Sequence, residues 1–427
     1  MISYQETLDY LYGLEHFGIS LGLENINELC AAFGNPQNKL AIVHVAGSNG
    51  KGSTIAFLKQ LLQAHGLSVG VYSSPHLRHF SERIVVDESP ISEAEIVTLT
   101  RKLRPIVEKI PRIVTFFDFT TCMALLYFAE KMPDIVLLET GLGGRLDATN
   151  VAREPILTMI TNIALEHEEF LGSTLLEVAA EKAGILKPGV PLVSGEKKGK
   201  IRDFMAEKQR EMAASCDFLG RDFRLRRADD GSFSYYGIEH QFTGLRISMF
   251  GRHQQDNAAL ALRALESLSH EGLFEINPDL VTATLLRVIW PGRLQQVASH
   301  PDIYLDGAHN PHGIRALEPE LKRLKGDRHL LLILGVMKDK RIKEMTSRLA
   351  PLADEIIVTQ APLDRACLPE RLAEEVEAYC SNVTVTDSVA EALTLARARA
   401  QDDDLIFLTG SLYCVGEAFN VLDLPVM

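Results

Sequence analysis

Seven residues, Gly47-Ser48-Asn49-Gly50-Lys51-Gly52-Ser53, have the types and order of a phosphate cradle. Glycines let backbone N–H groups curl around oxyanions. Lys51 adds a full positive charge, and a hydroxyl such as that of Ser53 reaches a magnesium ion in such cradles. A cradle of this kind needs a strand before it and a helix after it. The apolar run Leu40, Ala41, Ile42, Val43, Val45 reads as the strand, and Thr54 to Ala64 as the helix. The expected chemistry is the handling of a nucleotide triphosphate. The spacing departs from the usual nucleotide loop, which has four residues between its first glycine and the Gly-Lys pair. Here two intervene, and Gly52 separates Lys51 from Ser53. A glycine-rich turn without a ligand is the competing account.

Other residues carry chemistry at strand ends. Glu139 closes the apolar run Asp134–Leu138 and precedes Thr140-Gly141-Leu142-Gly143-Gly144. A carboxylate at such a tip, beside a phosphate loop, is where nucleotide enzymes hold magnesium; a solvated edge acid is the alternative. His167 lies in Ile163-Ala164-Leu165-Glu166-His167-Glu168-Glu169, which fits either a metal ligand or an acidic surface. Lys182, in Glu181-Lys182-Ala183-Gly184-Ile185, reads from the residues alone as a solvated helix charge. Asp306 and His309, in Asp306-Gly307-Ala308-His309-Asn310-Pro311-His312, follow a strand at the edge where doubly wound sheets bind ligands. An ordinary Asn-Pro turn also explains that stretch.

The elements that must position these groups alternate along the chain. Helices are expected over 3–17, 24–33, 92–109, 120–131 and 175–183, with strands at 40–46, 68–72, 134–138 and 156–160. That alternation predicts an α/β, P-loop-type N-terminal domain with a largely parallel sheet. Residues 195–245 turn charged and then alternating, as antiparallel hairpins or a small inserted sheet do. After a helix at 251–268 and the break Trp290-Pro291-Gly292-Arg293, a second series begins, with strands at 303–305, 330–334, 355–359, 383–385 and 405–409. It predicts a smaller, Rossmann-like C-terminal domain. The boundary is placed near residue 297, giving domains 1–297 and 298–427.

Composition narrows the class. A chain of 427 residues is too long for one core, so two domains are expected. A net charge of −13 argues against non-specific nucleic-acid binding, which needs a basic face. The six cysteines form no C-x-x-C pair, so neither a zinc site nor a disulfide framework is indicated. No apolar run is long enough to span a membrane and the first residues do not read as a secretory signal, so the reducing cytoplasm is the expected location.

Together the motifs resemble the Mur ligase superfamily, and within it the folylpolyglutamate synthase/dihydrofolate synthase group. HVAGSNGKGS at 44–53 resembles that family's nucleotide loop, with Ser48 where Thr is usual, and this accounts for the short spacing. SSPHLRHFSERI at 73–84, ETGLGGRLDATN at 139–150, EKAGILKPGVP at 181–191, GRHQQDNAALAL at 251–262, PGRLQ at 291–295, LDGAHNPHG at 305–313 and TGSLYCVGE at 409–417 follow in family order. The resemblance implies that Ser48, Asn49, Gly50, Lys51, Gly52 and Ser53 hold the ATP phosphates. Ser74 and Glu139 would ligate one magnesium ion and His167 a second. Lys182 aligns with a lysine that the family carbamylates into a carboxylate-like ligand. Asn257, Arg293 and Asp306 would hold the nucleotide, with His309 close to it. The N-terminal loop (Ile19, Leu21), Phe116, Phe117, Asp118 and Leu146 would contact a pterin.

The implied reaction is ATP-dependent amide formation. A substrate carboxylate attacks the γ-phosphoryl group, and the amino group of L-glutamate attacks the resulting acyl phosphate. The substrates expected are dihydropteroate and reduced folates, both served by one bifunctional, monomeric enzyme. Three departures from the family pattern stand out: Glu166 replaces the usual Asp before His167, Asp118 replaces Glu, and Arg341 stands where Asp is common.

Overall fold

The computed structural model describes residues 2–14, 18 and 21–426, so the expected contact residue Ile19 lies outside the described part. Contacts divide the chain into two compact units. One comprises 1–76, 80–247 and 256–288, the other 77–79, 248–255 and 289–427.

In the first unit the strands are β1 (Ile42–Ala46), β2 (Val69–Tyr72), β3 (Ile84–Val86), β4 (Ser89–Pro90), β5 (Ile135–Glu139), β6 (Leu157–Ile160), β7 (Leu192–Ser194) and β8 (Cys216–Phe218). They form one sheet in the order β4-β3-β2-β5-β1-β6-β7-β8. The run from β2 to β8 is parallel, and β3 and β4 are antiparallel at the edge. Every residue of β1, β2, β5 and β6 is buried, as central parallel strands covered on both faces require.

The helices here are α1 (Tyr4–Gly13), α2 (Glu24–Ala32), α3 (Lys51–Ala64), α4 (Glu93–Val107), α5 (Phe116–Lys131), α6 (Glu168–Leu171), α7 (Leu175–Ala183), α8 (Gly199–Glu211), α9 (Arg252–His270) and α10 (Pro278–Leu285). One apolar cluster joins α1, α2, α4 and α5 through Leu11, Leu29, Leu99 and Phe119, with Ile42 and Leu138 from the sheet. Another joins α7 and α8 through Val178, Ile201 and Met205.

Three element readings shift for identifiable reasons. α3 begins at Lys51 rather than Thr54, because Gly50 at φ 84° supplies the N-cap. α5 begins at Phe116 rather than Thr120, because Thr115 and Asp118 form a reciprocal capping box. Residues 199–211 are helical and β8 joins the main sheet, so the antiparallel subregion is only β9 (Arg224–Arg227), β10 (Phe233–Tyr236) and β11 (Gln241–Leu245). Charge on most of α8 hid its buried stripe of Ile201, Met205 and Gln209.

The second unit has β12 (Gln295–Ala298), β13 (Asp302–Leu305), β14 (Leu330–Leu334), β15 (Glu355–Val358), β16 (Val383–Val385) and β17 (Leu405–Thr409), in the order β12-β13-β17-β14-β15-β16. All pairs are parallel except β12 with β13. α11 (Pro311–Lys325), α12 (Ile342–Leu349) and α13 (Pro369–Val376) pack in one apolar cluster, and α14 (Val389–Arg399) and α15 (Leu412–Val421) in another. This is the doubly wound, Rossmann-like arrangement expected. Among the described residues no helix is long and apolar enough to cross a membrane.

Candidate active site

The strand order decides what meets what. Neighbouring parallel strands β2, β5, β1, β6 and β7 end at the same sheet edge. Their C-terminal tips therefore deliver, in that order, Ser74, Glu139, the 47–53 loop, the 161–167 loop and Glu196. Ligand sites of open α/β sheets form at such an edge.

The glycine loop is pinned from one side. Ser48 N–H donates to Asn162 O (2.9 Å), and Asn49 N–H to Asn162 Oδ1 (3.2 Å). Thr161 Oγ1 and Asn162 Nδ2 both donate to Asn49 O (2.7 and 2.9 Å). Ser48 Oγ donates to Ala164 O and accepts from Ala164 N–H (3.1 and 3.0 Å). The Ser48 hydroxyl is thus engaged with the 161–167 loop. Two glycines are required by geometry. Any side chain on Gly47 would run into Thr161, and one on Gly50 would place its Cβ 2.5 Å from Asn257 Oδ1. Asn257, expected at the nucleotide, therefore does stand against the loop.

Lys51 opens α3. Its Nζ donates to Gly47 O (2.9 Å) and lies 3.9 Å from Glu139 Oε1. Glu139 is 5 % exposed, and its Oε2 accepts from the backbone N–H of Ser74 (3.3 Å). Ser74, Glu139 and Lys51 are thus one cluster, and Gly52 and Ser53 lie buried in the first turn behind it.

Lys182 is not the solvated charge that its residue type suggests. It is 2 % exposed, and its Nζ meets Glu166 Oε1 at 2.7 Å. Burial pushes its ammonium below the ordinary value, against the pull of Glu166, and the charge of Lys51 adds to that push. Burial alone would raise the Glu166 carboxyl, but Lys182 and Lys51 hold it down at about 2. His167 follows at φ 44°, a left-handed conformation uncommon for histidine, and begins α6.

The residues expected at a pterin fall around 141–146. Phe117 packs so closely on Gly141 that a Cβ there would lie 2.5 Å from the ring, and Tyr72 flanks it at 5.9 Å. Gly22 N–H, next to the exposed Leu21, donates to Leu146 O (3.4 Å). Phe116 is buried. The Asp118 Oδ2 accepts from Thr115 N–H, Thr115 Oγ1 and Asn25 Nδ2, so that carboxylate caps α5. Burial raises its pKa.

In the second unit, Asp306 follows β13. Its Oδ2 accepts from Leu294 N–H (2.9 Å) and its Oδ1 from Ala308 N–H (2.8 Å). Arg293 Nη1 lies over Gly307, 3.1 Å from where a Cβ would stand. His309 Nδ1 meets Gly307 O (2.9 Å), which makes Nδ1 the protonated nitrogen. Asn310 and Pro311 start α11 as its N-cap and first residue.

The Mur ligase middle domain model matches residues 45–265, and the Mur ligase, glutamate ligase domain model matches 292–412. The chain belongs to the Mur ligase family. Within it, the chain is 35% identical over 424 residues to the dihydrofolate synthase/folylpolyglutamate synthase of Bacillus subtilis, covering 97% of this chain and 98% of that one. Among solved structures, E. coli FolC in complex with DHPP and ADP superposes with a TM-score of 0.88 at 30% identity, covering 98% and 97% of the two chains. A bifunctional folylpolyglutamate synthase/dihydrofolate synthase with Mn, AMPPNP and L-glutamate bound gives 0.87 at 30%, covering 98% of each. This Mur ligase is a member of the folylpolyglutamate synthase/dihydrofolate synthase group.

Sequence reasoning missed two supports of the site. Glu166 stood out only as a departure, yet it is the partner of Lys182. Glu196, 1 % exposed, accepts from Ile163 N–H (2.8 Å) and Lys198 N–H (2.7 Å) and so fixes the loop that carries Glu166 and His167. Its only sequence signal was an acid just past a short apolar strand.

Proposed function

We propose that this protein is an ATP-dependent ligase that joins L-glutamate to 7,8-dihydropteroate and to tetrahydrofolates through an acyl phosphate. The observation that carries the reading is the buried Glu139 carboxylate at the tip of β5, 3.9 Å from the Lys51 ammonium of a glycine loop. The full-length similarity to enzymes of that name supports the choice of substrates.

The glycine loop and Lys51 bind the triphosphate, and Lys51 offsets charge building on the γ-phosphoryl oxygens. Among the described residues no three His, Cys, Asp or Glu side chains converge as a metal cage. Magnesium needs none, since it takes one or two carboxylates and completes its shell with phosphate oxygens and water. Glu139 with Ser74 fits one such site, and His167 with a modified Lys182 a second. Bound magnesium would supply Lewis-acid charge to the phosphates.

Lys182 is proposed to be carbamylated. Its burial favours the neutral amine, the form whose nitrogen bonds to the carbon of CO₂ while a proton leaves. The product is a carboxylate on a lysine stem. Asn257, Arg293, Asp306 and His309 are assigned to the nucleotide, and Leu21, Phe116, Phe117, Asp118 and Leu146 to the pterin. The protein is read as a cytoplasmic monomer acting on small molecules, without nucleic-acid partners.

The test is a glutamate-incorporation assay with dihydropteroate and tetrahydrofolate side by side, each with ATP and magnesium. Product from both, with one phosphate released per glutamate joined, is expected. Phosphate release that needs neither acid nor glutamate excludes the reading.

A further inference from the structure

Arg83 is a buried cation without an anion. It ends a single 3-10 turn, Phe80–Arg83, and is 6 % exposed. Its carbonyl accepts from Ser73 N–H (3.0 Å). Its Nε donates to His76 Nδ1 (2.8 Å), so that histidine nitrogen is unprotonated. Its Cζ stands 5.0 Å from the centre of the Phe116 ring. Among the described residues it forms no ion pair, and neither terminal nitrogen of its fork has a hydrogen-bond partner.

A guanidinium mostly, though not wholly, withdrawn from water with no anion beside it carries a cost. Contact with one aromatic face returns only part of that cost. The remaining donors, Nη1 and Nη2, have the spacing that matches a carboxylate bidentately.

The surroundings say which carboxylate. Tyr12 stacks on Phe116 at 6.0 Å and 16°, and Phe80 meets it edge-on at 6.1 Å. Tyr12 Oη lies 3.4 Å from His76 Nε2. Phe116 is followed by Phe117, which packs on Gly141 in the region read as the pterin site. His76 lies two residues past Ser74, whose N–H meets Glu139. The guanidinium therefore lies on Phe116, whose neighbour Phe117 belongs to the region read as the pterin site, and is tied through His76 to the segment that carries Ser74. The carboxylate of an acid held in that region is the anion nearest at hand for its fork.

We infer that Arg83 recognises the carboxylate of the pteroate-type acid, with Nη1 and Nη2 taking its two oxygens while Nε stays on His76. This rests on the folate reading given under Proposed function and adds to it a specificity-determining residue.

The test is binding, read by calorimetry with saturating AMPPNP and magnesium. The ligands are dihydropteroate and its carboxamide, which keeps the rings and loses the charge. Wild-type protein should prefer the acid by about tenfold or more, the range of a charged hydrogen-bonded contact. Arg83→Gln should bind the two alike, with AMPPNP affinity within about twofold of wild type. Arg83→Lys keeps a charge without the fork and should retain part of the preference.

A preference undiminished in Arg83→Gln overturns the inference, as does an equal loss of both ligands, which marks a packing role. If Arg83→Gln does not fold, an undiminished preference in Arg83→Lys overturns it. Wild-type protein that binds neither ligand defeats the folate reading, and this inference with it.

Discussion

Lys182 Nζ and Glu166 Oε1 stand 2.7 Å apart, the lysine buried and the glutamate half-buried. A helix lysine is thereby turned inward, next to the glycine loop whose Lys51 is near enough to influence both groups. Arrangements that depress a lysine inside a site point to use of its neutral amine. Lys182→Ala should lower kcat by about 10² or more, the scale for loss of one electrostatic group in an active site. ATP affinity should change far less, because the phosphates are held by the loop. Steady-state kinetics alongside nucleotide titration checks this, and equal turnover in the variant would remove the carbamate role.

Gly50 joins β1's loop to α3 at φ 84°, and its missing Cβ leaves room for Asn257. Gly50→Ala must adopt a left-handed backbone at a cost of about 1–2 kcal/mol and must also displace the Asn257 amide. Loss of ATP binding with a modest drop in thermal midpoint is expected. A calorimetric titration with AMPPNP gives the first quantity and a melting curve the second. Unchanged nucleotide affinity would mean that this loop does not hold phosphate.

Much of this was legible in the sequence, for a physical reason. Parallel strands covered on both faces are apolar throughout, so Ile135–Leu138 and Ile42–Val45 announce themselves, and glycines at close approaches leave a motif. What escaped was support from a distance. The bond from Glu196 to Ile163 joins residues 33 apart, and nothing local marks it. Lys182 looked solvated because residue type reports average burial, while the Glu166 partner that permits burial sits 16 residues earlier on a loop. Helix α8 was obscured because ten of its thirteen residues are exposed or half-buried, leaving three positions to show its period. The capping box of Thr115 and Asp118 was visible as residue types, yet the start of α5 was still placed four residues late.

His44, in the middle of β1, predicts an acid-sensitive fold. It is fully buried, its Nε2 meets Thr149 Oγ1 at 2.8 Å, and its Nδ1 has no partner among the described residues. Burial, with the charge of Lys187, pushes its pKa down to about 3 from an ordinary 6.5. Between those values the unfolded chain holds a proton that the folded one does not. Stability is therefore full above about pH 6.5 and falls as the pH drops toward 3, by at most about 1.4 kcal/mol per pH unit from this group. Urea midpoints measured from pH 7.5 to 5 should fall faster for wild type than for His44→Gln. Parallel slopes would show that His44 does not contribute.

Glu196 tests whether the site depends on the loop that bears Glu166 and His167. Its Oε2 accepts from Ile163 N–H and its Oε1 from Lys198 N–H, at 2.8 and 2.7 Å, with the carboxylate almost fully buried. Glu196→Ala leaves the buried Ile163 N–H without its partner, at about 1–3 kcal/mol, while the N–H of the exposed Lys198 turns to water. Glu196→Gln keeps one acceptor oxygen and brings a donor against an N–H, so it recovers only part of that. The melting midpoint should order wild type above Gln above Ala. If the clamp also positions the site, kcat measured well below the melting transition should follow the same order while the KM for ATP stays nearly constant. Loss of stability with kcat unchanged would confine Glu196 to holding the fold.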